Sequence, residues 1–173
     1  VVDADIVARK IVEKGQPALA QIQSAFGDWV LLENGELNRK ALREHIFQHP
    51  SARQQLEDIT HPAIRQSIIA QLAQASSPYV ILVSPLLFET NQHLLTQRTL
   101  LIDASIELQI QRASQRDGQS VEQIENIIQA QMPRDRKLDL ADDIAVNDGH
   151  LEHLYTQLQK LHLHYLELSL SIE

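Results

Sequence analysis

The chain has 173 residues, with 15 Lys and Arg against 23 Asp and Glu, a net charge of −8, and 43% hydrophobic residues. That size and composition suit one ordinary folded domain with small appendages, and an acidic chain with three Phe, three Tyr and one Trp is excluded as a general binder of nucleic-acid backbone. Without cysteine there is no disulfide framework, thiol catalysis or thiolate zinc site, and apolar runs of about five residues fall far short of the ~20 that span a bilayer, so the cytoplasm is the default compartment.

Val1 to Ala4 reads as a short buried strand, and Asp5 opens a helical stretch, Ile6 to Lys14, that Gly15 stops. Pro17 suits a first helical turn, and Leu19, Ile22 and Phe26 carry the spacing on to Gly27 and the turn Asn34-Gly35. Asn38 is placed to cap a helix with Leu42, Ile46 and Phe47. Ser51 to Ser76 reads as two more helices broken at Thr60-His61-Pro62, with Ile64, Ile68, Ile69 and Leu72 on the second apolar face. Tyr79 to Val83 and Arg98 to Asp103 are continuous β-rich runs, the signature of fully buried parallel strands. The second leads into a helix with Ile106, Leu108, Ile110 and Ala113, then another with Val121, Ile124, Ile127 and Ile128. Ile144 to Val146 predicts a last strand before the turn Asn147-Asp148-Gly149, and Leu151 to Leu168 a terminal amphipathic helix. The alternation predicts βαβ units and a parallel sheet.

Asp3 and Asp5 stand two apart on the first predicted strand, hence on one face of its carboxyl end, the edge where open α/β sheets bind ligands. One carboxylate there orients a hydroxyl and takes its proton while the other supports Mg²⁺ through water. The plainer alternative is that Asp5 caps the helix and Asp3 is an exposed turn acid. Pro85-Leu86-Leu87-Phe88-Glu89 sets an acid beyond an apolar shelf after the second strand, suited either to a pocket or to ordinary packing with a solvated Glu. Arg112, Arg116, Arg134, Arg136 and Lys137 form the densest basic set. Arg112 and Arg116 share a helix face, while Pro133 to Lys137 is a short polar segment suited to a closing lid whose arginines meet phosphate; ion pairs with Asp117, Asp135 and Asp139 are the alternative. The eight histidines supply no metal-ligand set; His61, at a predicted helix start, either caps or meets a ligand.

In order along nearly the whole chain, Val2-Asp3-Ala4-Asp5 with Ala8-Arg9, Gly35 to Arg39 with Leu42-Arg43 and Ile46-Phe47, Leu56 with His61-Pro62-Ala63-Ile64, Pro85 to Glu89, Arg112 with Arg116-Asp117, Gln131, and Ala141-Asp142-Asp143-Ile144 with Asn147 and Gly149 resemble the dephospho-CoA kinase family. The resemblance implies an α/β, P-loop kinase-like three-layer fold: a core of residues 1–15, 77–114 and 141–173, a helical substrate-binding region at 16–76 and a lid at 115–140. It implies that MgATP donates its γ-phosphoryl group to the ribose 3′-hydroxyl of dephospho-CoA, with no nucleic-acid or membrane partner. Asp5 then orients and deprotonates the hydroxyl, Asp3 supports the metal through water, and Arg112, Arg116 and Arg134 contact phosphates. Asn147 and Gly149, with Arg112, lie on the ATP side, and Arg9, His61, Pro85, Leu86, Leu87 and Glu89 on the acceptor side.

The family's Gly-rich phosphate loop is the departure: no G-x-x-x-x-G-K-[ST] occurs in these residues. Val1-Val2-Asp3 reads as mid-strand, so the natural start is expected upstream, carrying the loop and a central strand; a chain truly starting at Val1 would have a gap in mid-sheet and is not expected to bind MgATP properly. Two other functions fit the same residues: another nucleotide or small-molecule kinase of this architecture, and a non-catalytic CoA- or nucleotide-binding module.

Overall fold

Two pairs of parallel strands organise the chain, one in each of two units. The computed structural model describes residues 1–171. The first unit comprises Val1–Ser76 and Val80–Ser84, and the second Ser77–Tyr79 and the chain from Pro85 onward.

In the first unit β1 (Val2–Asp3) runs parallel to β2 (Leu82–Val83), Val2 opposite Leu82 and Asp3 opposite Val83. The helix α1 (Ala4–Lys10) follows β1 at once, because the Asp3 carboxylate accepts the free N–H groups of Asp5 and Ile6 at 2.8 and 3.1 Å. Strand and helix therefore meet at Asp3, earlier than the sequence suggested, and α1 ends before Ile11 and Val12, which are buried in the turn leading to Gly15. Pro17 opens α2 (Pro17–Phe26), which buries Ala18, Leu19 and Ile22. A loop closed by a bridge between Leu31 and Leu37 turns at Gly35, whose φ of 81° suits a residue without Cβ. Asn38 caps α3 (Arg39–Gln48), its side chain accepting from the Ala41 N–H.

The expected break at Thr60-His61-Pro62 is absent: α4 (Pro50–Ala73) is one helix of 24 residues with Pro62 inside it. Pro62 has no N–H for the carbonyl of Asp58, and a proline within a helix costs about 3 kcal/mol. Packing of α4 along α1, α2 and α3, with Ala52 and Ile68 buried, outweighs that cost. Val7, Ile22, Val30 and Ile68 are the largest fully buried side chains of this core.

In the second unit β3 (Leu100–Asp103) pairs parallel with β4 (Asp143–Val146), from Leu100 opposite Asp143 to Asp103 opposite Val146. Between them lie α5 (Ile106–Asp117), α6 (Val121–Gln129) and α7 (Arg134–Leu140), and α8 (Leu151–Leu170) packs on β4. Ser105 caps α5, and Ser120 with Gln123 forms a reciprocal capping box on α6. The polar segment Pro133 to Lys137 begins α7, with Pro133 as its N-cap. The start of the strand pair is fastened three times: Arg98 forks onto the Asp143 carboxylate, Tyr165 donates its hydroxyl to Asp143 at 2.9 Å, and the Thr99 N–H and hydroxyl both donate to Asp142 at 2.8 Å.

Neither β-rich run is a fully buried strand along its length. Strand geometry covers only Leu82–Val83 and Leu100–Asp103, and Ile81, Val83 and Ile102 remain 44–46% exposed. Each described strand has a strand partner on one side only, which leaves its other edge uncovered by a neighbour.

Candidate active site

Both units present chemistry at the carboxyl ends of their strands. In the first, Asp3 ends β1 and Asp5 lies in the opening turn of α1, so the two are not side by side on a strand face as their spacing suggested. Their roles in the cap are also the reverse of the plain alternative: Asp3 caps the helix and Asp5 is exposed. One Asp3 oxygen carries both capping bonds, and among the described residues nothing donates to the other or to the Asp5 carboxylate. A carboxylate that no described residue engages is open to a hydroxyl brought to it.

Arg9 lies one turn beyond Asp5 on α1, exposed, and its backbone carbonyl accepts from the Arg39 guanidinium at 3.3 Å. Among the described residues neither arginine has a carboxylate partner. His61 is exposed in the middle of α4 rather than at a helix start, so it caps nothing.

In the second unit the network centres on a residue the sequence reading passed over. Asp103, at the carboxyl end of β3, is buried, with its side chain 8% exposed. Its two oxygens accept from Nε and Nη2 of Arg134 at 2.7 and 2.6 Å, and this carboxylate holds the guanidinium above its ordinary pKa. The Asp103 backbone carbonyl accepts the Asn147 N–H at 2.7 Å, and the Asn147 carbonyl accepts from Arg112 Nη1 at 2.7 Å. Arg112, Asn147 and Arg134 are thus joined through Asp103. Gln157 of α8 was also missed: its amide donates to and accepts from the Val146 backbone, both at 3.0 Å, as a neighbouring strand would.

Arg116 stands apart from this network. Its guanidinium forks onto Asp117 through two bonds of 2.7 Å, both groups at the surface, which raises the arginine's pKa and lowers the acid's. Gly149 is exposed, with open space around it. Pro85 and Leu86 are exposed and Leu87 half-buried in the turns after β2; the Leu86 carbonyl accepts from Thr90 and the Leu87 carbonyl from Gln92 and His93. Glu89 does not end in solvent: its carboxylate accepts the Met132 N–H at 2.7 Å and lies 3.7 Å from Lys137 Nζ, fastening the residues that lead into α7. Among the described residues no three His, Cys, Asp or Glu gather to hold a metal directly, and no helix is long and apolar enough to cross a membrane.

Parallel strands followed by helices, with a free acid after the first strand and arginines gathered at the carboxyl edge of the second pair, are the arrangement of P-loop-type kinases. Two solved structures share the fold: TT1252 from Thermus thermophilus, with a TM-score of 0.79 and 30% identity over 94% of this chain and 82% of that one, and a dephospho-CoA kinase from Campylobacter jejuni, with a TM-score of 0.70 and 28% identity over 96% and 84%. Residues 1–153 match the family model described as CoaE, Dephospho-CoA kinase, and a dephospho-CoA kinase from Acinetobacter baylyi is 70% identical over 166 residues, 96% of this chain and 85% of that protein. The chain belongs to the dephospho-CoA kinase family.

Proposed function

We propose that the protein transfers the γ-phosphoryl group of ATP to the ribose 3′-hydroxyl of dephospho-CoA, forming coenzyme A and ADP. The observation that carries this reading is family membership across residues 1–153, supported by the acids and arginines of that resemblance present in the chain. The 3′-oxygen attacks the γ-phosphorus as the bond to the bridging oxygen of the departing ADP breaks, and Asp5 takes the hydroxyl proton. Little covalent work falls to the protein; positioning and charge neutralisation carry the rate.

Asp5 is suited to the base because nothing else in the described chain occupies its carboxylate. Asp3 has one oxygen left after capping α1, which would hold a water of a Mg²⁺ ion. That ion neutralises the phosphate charge when bound. Arg112, Arg116 and Arg134 meet phosphate oxygens, Arg116 by exchanging its surface pair with Asp117, and Asn147 and Gly149 lie on the adenine side. Arg9, His61 and the Pro85 to Leu87 turns serve the acceptor, and Glu89 serves it by holding the residues before α7. Residues 16–76 form the acceptor-binding region and 115–140 the lid, and the reaction belongs in the cytoplasm.

The test is transfer of labelled phosphate from MgATP to dephospho-CoA by the full-length protein. Formation of coenzyme A supports the reading. Preferential turnover of AMP or shikimate, or binding of dephospho-CoA with no transfer, overturns it in favour of another kinase or a binding module.

A further inference from the structure

We propose that Asp103 is a positioning residue for the nucleotide: it grips the inner edge of the Arg134 guanidinium so that the outer edge faces the phosphates of ATP, and it fixes the Asn147 end of β4 through its own backbone. The inference rests on the kinase reading and on Arg134 standing on its phosphate side.

The geometry of the pair is the first argument. A guanidinium carries five N–H donors in a rigid plane. Asp103 engages the side that holds Nε and one Nη2 hydrogen, and no described acceptor takes the Nη1 donors. The exposures agree, for the Asp103 side chain is 8% exposed and that of Arg134 38%. The acid is sealed in and the arginine reaches from it to the surface at the carboxyl edge of β3 and β4.

The second argument is that α7 does not need this pair to stay in place. Glu89 accepts the Met132 N–H, and Lys137 donates to Gln131 at 2.9 Å and stands 3.7 Å from Glu89, with the Lys137 and Glu89 side chains only 18% and 21% exposed. These contacts fasten the backbone on both sides of Arg134. What the Asp103 carboxylate adds is the direction of one guanidinium. The same residue's carbonyl receives Asn147, whose own carbonyl receives Arg112, through backbone that a side-chain change leaves in place, so a change of the Asp103 carboxylate acts on Arg134 and on none of the acceptor-side turns at Pro85 to Leu87.

The experiment uses the full-length enzyme and measures kcat, separate KM values for MgATP and dephospho-CoA, affinity for a non-hydrolysable ATP analogue by calorimetry, and thermal midpoint. Asp103→Asn, of equal volume, is expected to weaken MgATP and analogue binding about ten-fold while the KM for dephospho-CoA stays within about two-fold. In an Arg134→Ala background the same change is expected to add little, because the group it aims is gone. Arg134→Lys gives a second reading if Asp103→Asn folds poorly: a single ammonium held by Asp103 has no second edge to offer, so its MgATP affinity is expected to fall nearly as far as that of Arg134→Ala. Wild-type nucleotide affinity in either single variant, or an Asp103→Asn loss of equal size with and without Arg134, or an equal loss for both substrates, overturns the proposal. An unsubstituted enzyme that makes no coenzyme A defeats the kinase reading instead.

Discussion

Replacing Asp3 separates the helix cap seen in the structure from the metal role proposed for the same side chain. Its Oδ1 accepts two N–H groups at the start of α1, while its second oxygen is available to the metal's water. Asp3→Ala removes both. Loss of an N-cap costs about 1 kcal/mol, which for a chain of this size lowers the thermal midpoint by about 2–4 °C, well within a total stability of roughly 5–15 kcal/mol. Asp3→Asn keeps an acceptor oxygen in the same place, so its midpoint is expected to stay near wild type. It loses the charge, however, and disturbing an outer-shell metal contact typically costs about 10–100-fold in affinity or activity. Thermal melts paired with kcat across a Mg²⁺ titration read both effects. Asp3→Asn is expected to melt normally yet need far more Mg²⁺, and Asp3→Ala to fail on both counts. An Asp3→Asn enzyme with the wild-type Mg²⁺ requirement would reduce Asp3 to a helix cap, and one that melts as low as Asp3→Ala would refute the capping argument.

Asp5→Asn is expected to lower kcat by roughly 10² to 10⁴ with a smaller change in KM, since it removes the proton acceptor and leaves the helix start intact; near-normal single-turnover rates would refute the assignment. Asp142 is held below its ordinary pKa by the Thr99 hydroxyl and N–H, and Asp143 by Arg98, so both stabilise the fold above the unfolded value near 4 and that stability drains away as pH falls through the lower folded values. Urea unfolding followed against pH is expected to show this acid loss and to flatten in Asp143→Asn; an unchanged slope contradicts it. Tyr165 is pushed up by burial and its bond to Asp143, so stability falls as pH rises past about 10, where the unfolded tyrosine ionises first, and Tyr165→Phe is expected to abolish that alkaline loss. Ile22→Ala, at a fully buried position of α2, is expected to cost about 2–5 kcal/mol in denaturant unfolding; less than about 1 would mean that the first unit's core collapses around the cavity.

The residues that were legible in the sequence are those whose partners lie within one helical turn. Asn38 caps α3 through the Ala41 N–H three residues on, and Pro17 opens α2 at the first turn. The strand Ile144 to Val146 was visible for a similar reason, its apolar run being bounded by a turn. Thr60-His61-Pro62 misled because the local rule for proline carries no knowledge of three helices packed along α4. Asp3 and Asp5 misled more subtly: the two-residue period of a strand held only if the strand reached Asp5, and one side-chain acceptor at Asp3 ended it two residues sooner.

The arginines show where sequence proximity stops being a guide to chemistry. Weighing them against nearby acids anticipated the pairs that matter least, Arg116 with its neighbour Asp117 and Arg136 with Asp139 at 3.8 Å, all at the surface. For Arg134 the structure uses none of the acids so weighed but Asp103, 31 residues away in the chain. Nothing local marks Asp103, since an acid after Leu100 to Ile102 looks like an ordinary strand end. Only the parallel register of β3 and β4, which sets Asp103 opposite Val146 and hence beside Asn147, together with the fastening of α7 through Glu89 and Lys137, creates the place where a buried carboxylate and an arginine meet. An acid removed from water must be paired or it destabilises the fold, so the burial of Asp103 demands a cation, and the fold delivers Arg134 with donors to spare. The requirement that satisfies the core therefore also fixes the direction of the guanidinium proposed to meet phosphate.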